Sequence, residues 1–158
     1  MSALAHAAPV SRTLMIQTQL FGSIEVVQEQ LLTMPEGLFG FPECRGFALL
    51  PAEREGFFWL QSTEHSSLAF LLVDPFIYFD GYTVDLTGQV LQRLDTSDPA
   101  SVNVFAIVTL PGASGDATAN LQGPVVLNVA KRQGFQAVLQ DSEYGTRERI
   151  RQERMATH

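Results

Sequence analysis

Side chains able to do chemistry are sparse in this chain and do not converge along it. Histidine occurs only at His6, His65 and His158. Two of these lie in the terminal stretches, so His65 is the one candidate general base in the body. Ser62, His65 and Asp74 would supply the nucleophile, base and orienting carboxylate of an acyl-transfer triad. A histidine inside Ser-Thr-Glu-His-Ser-Ser is read more simply as a solvated turn residue, and the triad is set aside. Cys44, the single cysteine, is followed by Arg45, whose charge would favour a thiolate. Without a neighbouring histidine the simpler reading is a small, partly buried side chain. There is no CxxC, no HExxH and no Asp-rich calcium loop, so neither metal nor cofactor is expected. The decapeptide Met-Pro-Glu-Gly-Leu-Phe-Gly-Phe-Pro-Glu, residues Met34 to Glu43, has the glycines of a phosphate cradle. It lacks the Lys-Ser/Thr pair and the spacing, and its charges, Glu36 and Glu43, repel anions. No catalytic residue is assigned, and the chain is not expected to be an enzyme.

What remains is a surface chemistry of aromatic rings beside carboxylates. It occurs once in the decapeptide and once in Leu-Leu-Val-Asp-Pro-Phe-Ile-Tyr-Phe-Asp-Gly-Tyr-Thr-Val-Asp, where Phe76, Tyr78 and Tyr82 stand among Asp74, Asp80 and Asp85. Strand alternation would send Phe76 and Tyr78 to one face and Ile77 and Phe79 to the other. An outward pair of aromatics flanked by acids suits protein docking. The alternative for this cluster is a small β-barrel ligand-binding protein or enzyme. In the decapeptide, Gly37 and Gly40 are expected at positive φ, Leu38 and Phe41 as inward anchors, and Glu36 and Glu43 on the rim.

These residues sit in a chain of 158 with 46% hydrophobic content, enough for one compact domain with a real core. Its longest apolar runs are far below a membrane span. The first thirteen residues read as a tail with no secretory pattern, and one cysteine suits a reducing compartment, so a cytoplasmic, membrane-free protein is expected. The net charge of −7 is unevenly spread. Residues 13–130 carry three basic and thirteen acidic side chains, a balance of −10, while residues 131–158 carry six and four. Such a body repels nucleic acid and favours a basic protein partner. Apolar runs at Leu14 to Leu20, Phe47 to Leu50, Phe57 to Leu60, Leu68 to Val73, Val102 to Leu110, Pro124 to Val129 and Phe135 to Leu139 alternate with turn residues, as in an antiparallel sandwich or barrel. Leu86 to Leu94 reads as a short helical connector, Asn120 and Asn128 as ladder-end residues bonding backbone, and Tyr144 to Met155 as a charged helix capped by Thr146. The expected fold is all-β: a single antiparallel β-barrel-like domain over 14–143, an N-terminal tail over 1–13 and a short C-terminal helix or tail over 144–158.

Five ordered blocks resemble the flagellar assembly factor family FliW. They are Phe-Gly-Ser-Ile-Glu-Val (Phe21 to Val26), Met34 to Phe41, Phe57 to Phe76, Ala117 to Asn128 and Gln136 to Ile150. The decapeptide resembles the family's Phe-Pro-Glu-Gly-Leu-Pro-Gly-Phe loop, with Met34 for its first Phe and Phe39 for its second Pro. Gly123 stands where the family often has Ala. The resemblance implies a β-barrel-like protein without catalysis. It also implies that the protein binds the translational repressor CsrA and, in competition, flagellin, so that the free protein sequesters CsrA and relieves repression of flagellin synthesis. Because Phe39 departs from the family's proline, it is the expected outward contact. The expected partner-binding residues are Glu36, Phe39, Glu43, Asp74, Phe76, Tyr78, Asp80 and Tyr82.

Overall fold

The computed structural model describes residues 12–112, 115–140 and 143–151. Its strands are β1 (Thr13–Thr18), β2 (Gly22–Val27), β3 (Leu31–Thr33), β4 (Gly46–Pro51), β5 (Phe57–Ser62), β6 (Ala69–Val73), β7 (Asn103–Thr109), β8 (Thr118–Asn128), β9 (Gln133–Gln136) and β10 (Glu148–Arg149). Strands β3 to β9 close into a barrel in the order β8-β7-β6-β5-β4-β3-β9, with β9 pairing back onto β8. The pairings are antiparallel except β3–β9, which touch in parallel at Thr33 and Gln133.

Alternation along the strands sorts apolar side chains into three packed layers. One set fills the barrel interior: Leu32, Phe47, Leu60, Leu72, Phe105, Val125 and Leu127, joined by Met34 and Leu38 from the β3–β4 loop. This interior is solid, as expected of a barrel this narrow. The opposite faces of β6 to β9 carry Val73, Ala106, Ala119, Val126 and Phe135, covered by Tyr78, Tyr82 and Leu94 from the long β6–β7 connection and by Ile150. The β1–β2 hairpin covers a third face, setting Ile16 and Val26 on Ala48 and Leu50.

Two expectations give way here. Pro75–Tyr78 is a turn of helix, not a strand, because Asp74 caps it through a 3.0 Å bond from the Phe76 N–H and Pro75 occupies its first position; proline and an acidic cap preorganise a helix start. The described part of the expected C-terminal helix is also extended. Glu148 pairs with Ala119, the Ile150 N–H donates to Ala117 at 2.9 Å, and Gly145 accepts from Leu121 and Gln122. The β8 edge needs backbone partners, which a helix would not supply. Thr146 therefore caps no helix among the described residues, and residues 152–158 lie outside them. The connector is helical at Gly88–Arg93, capped by Thr87. Asn120 accepts from the Gly123 N–H and Asn128 donates to the Leu94 carbonyl, so both bond backbone as expected, but only Asn128 ends the strand; Asn120 lies within β8, paired with Ile107.

Candidate docking surface

The loop between β3 and β4 is built from two tight turns. The Gly37 N–H donates to Met34 at 2.8 Å and the Phe41 N–H to Leu38 at 2.7 Å, with Gly37 at φ +63° and Gly40 at φ +88°. Gly40 thus fills the third position of a type II-like turn whose second position is Phe39, the place proline favours. Met34 and Leu38 are buried in the barrel mouth, whereas Phe39 is 55% exposed. Phe41 is less of an anchor than expected: it remains partly exposed and leans edge-on against Phe70, centroids 5.2 Å apart. Instead of a proline ring, a hydrogen bond holds the turn. The Phe39 N–H, which proline lacks, donates to Gln136 Oε1 at 2.9 Å, and Gln136 Nε2 donates to the Gly123 carbonyl at 2.8 Å.

Charges frame this tip. Glu43 is exposed. Glu36 forms an ion pair with Arg93, whose guanidinium lies 3.6 Å above the centre of the Phe135 ring, a cation–π contact. Glu64 accepts the N–H groups of Gly46 and Arg45 at 2.6 and 2.8 Å, and these bonds hold its carboxyl below the usual range. Cys44 is buried, and burial together with Glu64 and Glu43 pushes its thiol up rather than down. Arg45 does not activate it.

The second expected cluster is dispersed by the helix turn. Phe76 is half-exposed and packs on Tyr82 at 5.6 Å, and Asp80 is exposed. Tyr78 and Tyr82 turn inward, their hydroxyls donating to the carbonyls of Glu55 at 2.7 Å and Leu121 at 2.8 Å. Burial raises the Tyr82 phenol far above its ordinary value. Neither tyrosine presents its ring as a docking face, and Asp74 is occupied as a cap. Asp74 follows the Val73–Phe57 pairing while Ser62 pairs with Phe47, five steps along β5 and roughly 17 Å away. The strand length thus separates this cluster from the loop and keeps Ser62, His65 and Asp74 from assembling. Ser62 Oγ instead accepts the N–H groups of Glu64 and His65.

The comparisons with known proteins bear on this arrangement of loop and barrel. The family model described as FliW protein matches residues 15–150. The chain belongs to the FliW family. It is 38% identical over 135 residues to the flagellar assembly factor FliW of Treponema denticola, covering 85% of this chain and 92% of that protein. It is 40% identical over 137 residues to that of Moorella thermoacetica, covering 85% and 87%. A crystal structure of the flagellar assembly factor FliW superposes with a TM-score of 0.79 at 36% identity, covering 87% of this chain and 96% of that one. Within this FliW barrel, Gln136 and Arg93 fix the loop and were not singled out from sequence. Arg93 carried one available signal, as one of three cations in an acidic body.

Proposed function

We propose that this protein acts in flagellar assembly as a non-catalytic, cytoplasmic binding protein. It binds and antagonises the translational repressor CsrA and also binds flagellin, coupling flagellin synthesis to flagellum assembly without contacting nucleic acid itself. Membership of the FliW family and the acidic body support the reading. The observation that carries it is Phe39: a large aromatic held outward on a hydrogen-bonded turn while its neighbours Met34 and Leu38 point into the barrel. Exposed aromatics on rigid supports make good interface anchors because little conformational entropy is lost on binding.

The test is direct mixing of purified protein with CsrA, and separately with flagellin, at micromolar concentration in low salt, followed by competition. The expected result is a complex with each and displacement of one by the other; binding of neither overturns the proposal. Electrostatics adds a kinetic expectation. Changing Glu36, Glu43 and Asp80 together to Lys should slow association with CsrA and flatten its salt dependence, because rim charges act over the roughly 8 Å screening length of physiological salt. Unchanged association kinetics would remove charge from the account.

A further inference from the structure

A groove of about 670 Å³ lies between the β6–β7 connection and the chain that follows β9, with Val126, Ala137 and Leu139 among its lining residues. Both walls offer unused main chain. On one wall, Ala137 and Leu139 donate their N–H groups to the carbonyls of Pro124 and Gln122 in β8, each at 2.8 Å. Successive residues of an extended chain aim these groups to opposite sides, so the N–H and C=O of Val138 face away from β8. Neither has a partner among the described residues, and the Val138 side chain is 55% exposed. On the other wall, the N–H groups of Val84, Asp85 and Leu86 also lack partners among the described residues. The charged side chains lining the groove are Asp85 and Glu143, both exposed carboxylates with no ion pair among the described residues.

An open strand edge beside unneutralised carboxylates fits one kind of occupant. We propose that this groove binds an extended, basic peptide segment of a partner protein. The segment pairs its main chain with Val138 and sets lysine or arginine side chains against Asp85 and Glu143. Main-chain pairing supplies affinity in this mode, and alternate side chains supply selectivity. The groove's lining does not include the Phe39 loop, although Ala137 follows Gln136, which holds that loop's turn, and the inference does not depend on what the loop contacts.

The probe is the synthetic peptide acetyl-Lys-Val-Lys-Val-Lys-Val-amide, titrated into the full-length, ¹⁵N-labelled protein. Because an acidic body attracts any cationic peptide, the decisive control is the same sequence N-methylated at alternate residues, which keeps the charge and removes donors. The expected result is saturable shifts at Val84, Leu86, Val138 and Leu139, with the N-methylated peptide weaker by about tenfold or more. A double variant, Asp85→Lys with Glu143→Lys, should weaken binding by a similar factor while its thermal melt matches the wild type, since both side chains are exposed. Val138→Pro should weaken it too, removing the free N–H and leaving the bonds of Ala137 and Leu139 in place. Equal binding of the N-methylated peptide, unchanged affinity in the double variant, or shifts confined to other surfaces would overturn the proposal. None of these outcomes bears on the mixing experiments with CsrA and flagellin.

Discussion

Replacing Phe39 and Gly37 one at a time by alanine separates recognition from scaffold within a span of three residues. At Gly37 an added Cβ would lie 2.2 Å from the Phe41 carbonyl oxygen and 2.8 and 2.9 Å from Pro42 Cα and C. All three atoms are main chain, so no side chain can swing aside to make room. Holding an L residue at φ +63° costs about 1 to 2 kcal/mol on its own. Shifting hydrogen-bonded backbone adds a comparable amount, giving about 3 kcal/mol for Gly37→Ala. In a domain of this size that corresponds to a melting temperature lower by about 6 to 12 °C.

Phe39→Ala removes a ring that is more than half in solvent and leaves the backbone bond to Gln136 in place, so its stability should stay within about 0.5 kcal/mol of wild type. If the ring is an interface anchor, partner affinity should fall by about 1 to 3 kcal/mol. Melts by circular dichroism and titration calorimetry with CsrA and with flagellin read both quantities on the same preparations. The reasoning is refuted if Phe39→Ala lowers the melting temperature as far as Gly37→Ala does, or leaves both affinities untouched.

Three further substitutions test the supports of this surface and of the barrel. Gln136→Ala removes the clamp on the Phe39 turn and should cost about 1 kcal/mol of stability while weakening partner binding, read by the same melts and titrations. Tyr82→Phe leaves the Leu121 carbonyl without its hydroxyl donor and should destabilise by about 1 kcal/mol at neutral pH. Because the Tyr82 phenol is raised in the folded state, the wild type should lose stability as pH climbs above the unfolded value near 10, and the Phe variant should lose less in alkaline melts. Glu64 is depressed instead. Its contribution is present above the ordinary value of 4.5 and is lost as pH falls through the lower folded value, so Glu64→Gln should flatten the melting profile between pH 7 and 3 relative to wild type.

What could be read in advance follows the range over which each residue acts. Short apolar runs such as Phe57 to Leu60 and Leu68 to Val73 became strands because runs of this length between turn residues fit strands packed on both faces. The positive φ of Gly37 and Gly40 was legible because turn chemistry is local. Phe76 to Tyr78 misled because a local cap and proline, Asp74 and Pro75, overrode an apolar run that looked strand-like. The C-terminal segment misled for the opposite reason. Its helix signals, Thr146 and the charge pairs, are local, but the open edge of β8, some thirty residues earlier in the chain, supplied the stronger demand for backbone partners. The bonds that hold the candidate surface lie beyond any window: Gln136 reaches Phe39 across 97 residues and Arg93 reaches Glu36 across 57.

Phe39 itself shows why a departure from a family pattern need not loosen a loop. Proline at the second position of a type II-like turn contributes rigidity through a locked φ and gives up an N–H to do so. Phenylalanine gives up the locked ring and regains the donor, and Gln136 Oε1 receives it. The turn is then restrained from outside by a side chain anchored on the Gly123 carbonyl. A Cβ at position 123 would lie 3.2 Å from Gln136 Nε2 and Asn120 Nδ2, so these side-chain ends would have to shift by a few tenths of an ångström to admit a methyl. Gln136, bonded to the Gly123 carbonyl, holds the turn, and the turn presents an aromatic ring where a proline would have offered a smaller face.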